Sequence, residues 1–146
     1  MQFNVATNLG LTKIISEYIF GQQPGSATSS RSPNSSQQPN YDTYIRPVNG
    51  GYVMLVQDLG KQLPLSAVFK YDWYDANTKV SSNEVGLNGT GRTDLLRTAY
   101  GFGLLWSVVQ DVRMSALYEL VKIETSDNIN YDFKGDSFTL RLQYQF

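Results

Sequence analysis

The chain has 146 residues and contains neither cysteine nor histidine. Without cysteine, disulfides, thiolate zinc sites and cysteine nucleophiles are excluded. Without histidine, the commonest general base and the commonest transition-metal ligand are missing, and a Ser-His catalytic pair cannot be built. The carboxylates of Asp72, Asp75 and Glu84 have no spacing that predicts a catalytic pair. The sequence therefore predicts a protein that is not an enzyme and that holds no metal or other cofactor.

Charge and long apolar runs are also scarce. The chain carries 12 Lys and Arg against 13 Asp and Glu, a net charge of -1, so it lacks the basic excess that a nucleic-acid partner requires. No apolar run reaches the roughly 18 residues of a transmembrane helix. The first twenty residues are interrupted by polar side chains and contain no signal-peptide pattern.

Aromatic residues and glycine are abundant instead, with 10 Tyr, 7 Phe, 2 Trp and 12 Gly. The hydrophobic fraction is 41% and the mean hydropathy is -0.31, values that by themselves suit a soluble protein. A transmembrane β-barrel has an equally weak average, because its lipid-facing and lumen-facing residues alternate along each strand.

The last ten residues, SFTLRLQYQF, alternate between apolar and polar side chains without a break. The apolar positions are Phe138, Leu140, Leu142, Tyr144 and Phe146. Alternation with a period of two is typical of a strand with one apolar and one polar face. An edge strand of a soluble sandwich is the alternative interpretation, although such strands are usually blunted by charge or proline.

Alternation elsewhere in the chain predicts seven strands, most of them long enough to cross a bilayer when tilted. The predicted strands are Gln2–Thr7, Leu11–Gln23, Tyr44–Leu59, Leu63–Tyr74, Leu95–Trp106, Val112–Glu124 and Ser137–Phe146. The alternation breaks around Gly50 and Gly51, so the faces of residues 44–57 are not assigned. Lys122 falls on the apolar face and is expected at the rim, where its stem can lie along apolar surface.

The predicted connections alternate strictly between short and long. Residues 8–10, 59–62 and 107–111 are expected to be short turns, whereas 24–42, 75–94 and 125–136 are longer loops rich in Ser, Asn, Gly and Asp. Turns at one end of a sheet and loops at the other are typical of outer-membrane barrels. The predicted fold is therefore all-β, an antiparallel up-and-down transmembrane β-barrel.

The predicted strand number is odd, whereas bacterial single-chain barrels have even numbers. Together with the missing signal peptide, this predicts that the chain is the C-terminal part of a larger barrel. The remaining strands or further copies of the chain would then pair with its edges. A small complete barrel of eight strands with a structural role, or a soluble ligand-binding β-barrel, are the alternatives.

Four stretches, EYIFGQQPGSATSSRSPNSSQQP, GGYVMLVQDLG, FKYDWYDANTKVSSNEVG and FTLRLQYQF, resemble the C-terminal half of porins in the phosphate-selective porin O and P family. The resemblance implies a trimeric channel of the bacterial outer membrane, with about sixteen strands, through which small hydrophilic solutes diffuse passively. It also implies that the barrel-assembly machinery recognises the alternating C-terminal residues named above. The N-terminal strands and signal sequence of that family are absent from this chain.

Eight charged residues fall on the predicted polar faces and are expected to line the channel. They are Lys13, Lys70, Arg97, Arg113 and Arg141, together with Glu17, Asp72 and Glu119. Five positive and three negative charges leave +2 on this wall, and rings of Arg and Lys favour anions in pores. The alternative is that these charges pair across strands and only stabilise the wall.

Overall fold

In the computed structural model, the described residues form one antiparallel sheet of seven strands that neighbour one another in sequence order. The structure describes residues 1–24, 45–60, 64–87, 90–109, 111–130 and 135–145. The strands are β1 (Gln2–Ala6), β2 (Leu11–Pro24), β3 (Ile45–Asp58), β4 (Leu65–Asp75), β5 (Arg97–Val109), β6 (Val112–Ile123) and β7 (Ser137–Tyr144). Two short 3-10 helices, Ser82–Glu84 and Arg92–Asp94, lie between β4 and β5. Within the described ranges, no helix is long and apolar enough to cross a membrane.

The seven predicted strands and their up-and-down order are confirmed. Three residues predicted to lie in strands, Tyr44, Leu63 and Phe146, are outside the described residues. Pro24 and Asp75, predicted to begin loops, are instead the last residues of β2 and β4.

The predicted turn over residues 107–111 is wrong, because β5 continues to Val109. Ser107 still pairs with Arg113, and Val109 pairs with Val112 after a shift of register. Branched residues such as Val favour extended backbone, so β5 continues to Val109, and β6 begins at Val112.

Strand register places one apolar face across the whole sheet. Residues directly opposite one another on paired strands share a face. One such row consists of Phe3, Ile14, Leu55, Phe69, Phe102, Tyr118 and Phe138. We name the side of the sheet that contains this row the apolar face. On each strand it also includes every second residue before and after the row. The opposite side is the polar face.

Register also assigns the faces of β3, which the sequence left open. The odd-numbered residues 49–57 lie on the apolar face and the even-numbered residues 46–58 on the polar face. Gly51 lies between Tyr18 and Trp73 on the apolar face. A Cβ atom on Gly51 would lie 2.8 Å from the Trp73 ring and 2.6 Å from the backbone oxygen of Glu17. The alternation breaks at this glycine because the Trp73 ring occupies the space that a side chain would need.

Large side chains on the apolar face are exposed. Phe20 is 81% exposed, Phe138 67% and Leu142 70%. Among the described residues, the buried apolar side chains are Ala76, Val85, Leu95 and Ala99, none of which lies on the apolar face. The apolar face is therefore exposed, and no described residues form a second layer against it.

The connections are sorted between the two ends of the sheet as predicted. Asp111 and the turn before Leu11 lie at one end, here named the turn end, whereas 76–87, 90–96, 124–130 and 135–136 lie at the opposite loop end. The two long connections contact each other, because the Ser126 hydroxyl donates to the Val85 carbonyl at 2.6 Å. The predicted loop 24–42 lies outside the described residues except for Pro24.

Candidate functional site

All eight charged residues predicted to line a channel lie on the polar face. Lys13 is opposite Val56, Glu17 opposite Tyr52, and Arg141 opposite Ser115, all of them polar-face positions. The same register places the other five, Lys70, Asp72, Arg97, Arg113 and Glu119, on this face. Register alone therefore gathers the predicted set on one side of the sheet.

Four of these residues form an ion network in the middle of the sheet. The Lys70 Nζ atom lies 2.9 Å from Asp72 Oδ2 and 3.7 Å from Glu119 Oε1. The Arg97 guanidinium lies 3.3 Å from Asp72 Oδ1. Two cations and two carboxylates neutralise each other here, which is the pairing that the alternative interpretation predicted for these residues.

Arg113 and Arg141 form a second group, nearer the turn end. Arg113 is opposite Gln143 and Arg141 is opposite Ser115, so the two arginines are diagonal neighbours on adjacent strands. Among the described residues neither arginine forms a salt bridge. Both line an opening of about 250 Å³ with Gln143. Their charges are therefore available to an anion on this side of the sheet.

The polar face carries one more carboxylate than the predicted set. Asp58 is opposite Ser66 and accepts a hydrogen bond from its hydroxyl at 2.8 Å. Its other oxygen accepts from the backbone N–H of Leu11 at 3.1 Å, so Asp58 ties two neighbouring turns together. With Asp58 included, the predicted net charge of +2 on this wall becomes +1.

The loop end holds a buried ion pair that the sequence did not predict. Arg46 and Asp94 are 4% and 1% exposed, and Arg46 Nε lies 3.0 Å from Asp94 Oδ1. The side-chain amide of Asn77 donates to the same oxygen at 2.9 Å, and Gly91 N–H donates to Asp94 Oδ2 at 2.8 Å. Asp94 thus fixes the connection between β4 and β5 to the first residues of β3.

Aromatic rings form a connected group on the apolar face toward the loop end. Ring centroids are 6.2 Å apart for Tyr18 and Trp73, 5.8 Å for Trp73 and Tyr71, and 5.1 Å for Tyr71 and Tyr100. Lys122 lies 5.9 Å from the Tyr100 ring, a cation–π distance. Lys122 lies near the loop-end terminus of β6, as expected for a cation at the rim of this face.

In a transmembrane barrel, lipid or headgroups would contact four aromatic side chains of the apolar face, those of Trp73, Trp106, Tyr100 and Tyr118. Trp106 and Tyr118 are 44% and 42% exposed on the apolar face. Trp73 and Tyr100 lie on the same face but are half-buried by neighbouring rings.

The described residues of the predicted assembly signal all lie on the apolar face of β7. They are Phe138, Leu140, Leu142 and Tyr144, each more than 60% exposed. Phe146, the fifth residue of the signal, lies outside the described residues. β7 pairs only with β6, so its outer edge is unpaired within the described sheet.

No family model matches the sequence, and neither a curated protein nor a solved structure matches it.

Proposed function

We propose that this chain forms part of the wall of a bacterial outer-membrane porin, a water-filled channel for the passive diffusion of small hydrophilic solutes. The observation that carries the proposal is the exposed apolar face, which continues across all seven strands, while the opposite face holds the eight charged residues predicted to line a channel. A soluble protein rarely leaves so large an apolar surface uncovered. Lipid is the environment that such a face fits.

The strand lengths support the same proposal. β6 has 12 residues, and with a rise of about 3.4 Å per residue such a strand is roughly 40 Å long. At a tilt of about 40° it spans roughly 30 Å, enough to cross the apolar band of an outer-membrane barrel, which is about 25 Å tall.

The polar face supports the channel and its preference for anions. The positive charges of Lys70 and Arg97 are neutralised by the carboxylates of Asp72 and Glu119. The ion selectivity of this wall therefore depends on the charges outside that network. Arg113 and Arg141 are diagonal neighbours on β6 and β7 that form no salt bridge among the described residues, and exposed arginines draw anions toward a pore. The resemblance to phosphate-selective porins leads to the same expectation of anion transport.

The open edges support a larger assembly. An unpaired strand edge is costly in lipid, because its backbone groups have no hydrogen-bond partner there. We therefore propose that further strands complete the barrel, that the complete barrel is a homotrimer subunit, and that the barrel-assembly machinery inserts it. A soluble ligand-binding barrel would instead place its apolar face in a dry interior.

Fluorescence quenching in bilayers tests the proposal. The chain, folded into vesicles, has its two tryptophans, Trp73 and Trp106, on the apolar face. We expect brominated lipids to quench both, and aqueous iodide to quench neither strongly. A variant with Trp73→Phe, Trp106→Phe and Tyr52→Trp moves the only indole to the polar face and is the matched control. Its fluorescence should respond to iodide and much less to brominated lipid.

The opposite pattern would overturn the channel proposal. So would a chain that stays monodisperse in water without detergent and shows no quenching by brominated lipid, which is the behaviour of a soluble ligand-binding barrel.

A further inference from the structure

The polar face contains an apolar depression of about 320 Å³ near its centre. Its walls include the side chains of Met54, Val56, Val68 and Leu117, which alternation places on the same face as the charged residues. All four are half-buried. A wall that only conducts water and ions has no need of apolar side chains grouped in this way.

The floor of the depression is held open by the backbone of β5. Gly103 lies between Val68 and Leu117 in the strand register. A Cβ atom there would lie 2.6 Å from the backbone oxygen of Ala116 and 2.9 Å from Leu117 Cδ1. The depression is therefore a fixed feature of the sheet rather than a gap that a β5 side chain could fill.

One edge of the depression is cationic. Arg141 lines it beside Ser115, and among the described residues Arg141 forms no salt bridge. Lys70 also lines it, but its ammonium lies 2.9 Å from Asp72. Arg141 is thus the cation that remains available to bind a ligand. Lys70 contributes mainly its aliphatic stem to the depression.

We propose that this depression binds a small organic anion that has one carboxylate on an apolar body about the size of a benzene ring. The carboxylate would accept hydrogen bonds from Arg141, whose planar guanidinium matches two oxygens at once. The apolar body would lie against Val68 and Leu117. Predominantly apolar walls with a few placed polar groups are typical of small-molecule sites. An inorganic anion has the charge for Arg141 but no surface for these walls.

This inference deepens the proposed function by naming a class of solute, and it rests on that function only for the role of the binding. The contacts themselves require the sheet and not a conducting channel. Binding and membrane insertion can therefore be measured separately.

Nuclear magnetic resonance of the ¹⁵N-labelled chain in zwitterionic micelles tests the site. The probes are 4-fluorobenzoate, the neutral 4-fluorobenzyl alcohol and inorganic phosphate, and the amide signals of Gly103 and Leu117 report binding. We expect 4-fluorobenzoate to bind about tenfold more tightly than either other probe, a difference typical of one charge-assisted hydrogen-bonded contact. The Leu140 amide, on the apolar face, should not follow the same saturation curve and controls for partition into the micelle.

Two variants and a matched control locate the ligand. Arg141→Gln should lower the affinity for 4-fluorobenzoate about tenfold, to that of the alcohol, and Leu117→Asn should weaken both aromatic probes. Arg113→Gln removes the neighbouring arginine, which does not line the depression, and should lower the affinity clearly less than Arg141→Gln does. Equal binding of phosphate, or an equal loss in the Arg113 variant, would overturn the proposal and indicate a general anion-attracting wall. A chain that binds the probe but is not quenched by brominated lipid keeps this site and loses the channel.

Discussion

The Lys70 ammonium lies 3.7 Å from the Glu119 carboxylate, although strand β5 runs between them. In the register, the residue between these two positions is Gly101. Since glycine has no side chain, the two charged groups meet above the β5 backbone. Gly103 lies two residues further along β5 on the same face and has another role. It lies under the walls of the apolar depression and close to the backbone of β6.

The two glycines should therefore respond differently to alanine. A Cβ atom on Gly101 would meet only side-chain atoms, the nearest being Lys70 Cβ at 3.3 Å, whereas one on Gly103 would meet the Ala116 backbone oxygen at 2.6 Å. We expect Gly103→Ala to lower the free energy of unfolding by about 1–3 kcal/mol, as overpacking does, and Gly101→Ala to cost clearly less. Urea titration of both variants in the same vesicles measures the difference, and equal losses would contradict the assigned close contact.

Removing the charge of Asp94 should destabilise the loop end. Asp94→Asn leaves the buried Arg46 without a counter-ion, a change that typically costs about 3–5 kcal/mol. Glu119→Gln is the matched control, because its partner lies farther away and partly in solvent, and it should cost less than about 1 kcal/mol. Hydrogen exchange should show where the loss occurs. The Thr78 amide, which donates to Pro47 at 2.9 Å, should exchange faster only in the Asp94 variant.

Anion preference should depend on Arg113 more than on Arg97. Arg97 shares Asp72 with Lys70, whereas Arg113 has no salt bridge among the described residues. In the complete channel, Arg113→Ser should therefore lower the anion-over-cation permeability ratio, and Arg97→Ser should change it less. The reversal potential under a salt gradient measures the ratio. A reversal potential that is unchanged in the Arg113 variant would assign this arginine a structural role only.

Neighbouring residues of β7 offer a direct comparison of the two faces. Leu140 lies on the apolar face and Thr139 on the polar face. Leu140→Arg should make folding into bilayers less favourable by about 2–4 kcal/mol if its position is near the midplane of the lipid. Thr139→Arg should destabilise the folded sheet little. Equal, small effects would mean that the apolar face does not contact lipid.

Most of the fold could be predicted from period-two alternation, because each strand of this sheet has one apolar and one polar face. The prediction failed at positions where the side-chain pattern does not indicate the backbone conformation. At Gly51 the Trp73 ring from the next strand fills the apolar position, so the pattern breaks although the strand continues. At Ser107 the pattern ends while β5 continues to Val109.

The candidate site was predicted only in part for a similar reason. Alternation assigns a residue to a face but does not give its partner, which depends on register. The pairing of Arg46 with Asp94 joins segments far apart in the chain, and no local pattern marks either residue. The apolar depression also depends on register, since Val68 and Leu117 become neighbours only across Gly103.

The order of the strands limits what can close this sheet. Because every neighbouring pair is antiparallel and there are seven strands, β1 and β7 run in the same direction. A second copy in the same orientation would thus join its β1 to β7 as a parallel pair, and an inverted copy would place its loops at the turn end of this sheet. An all-antiparallel closure needs an odd number of additional strands. Because the described sheet has an odd number of strands, closure by a partner segment of different topology is favoured over pairing with further copies of the same chain.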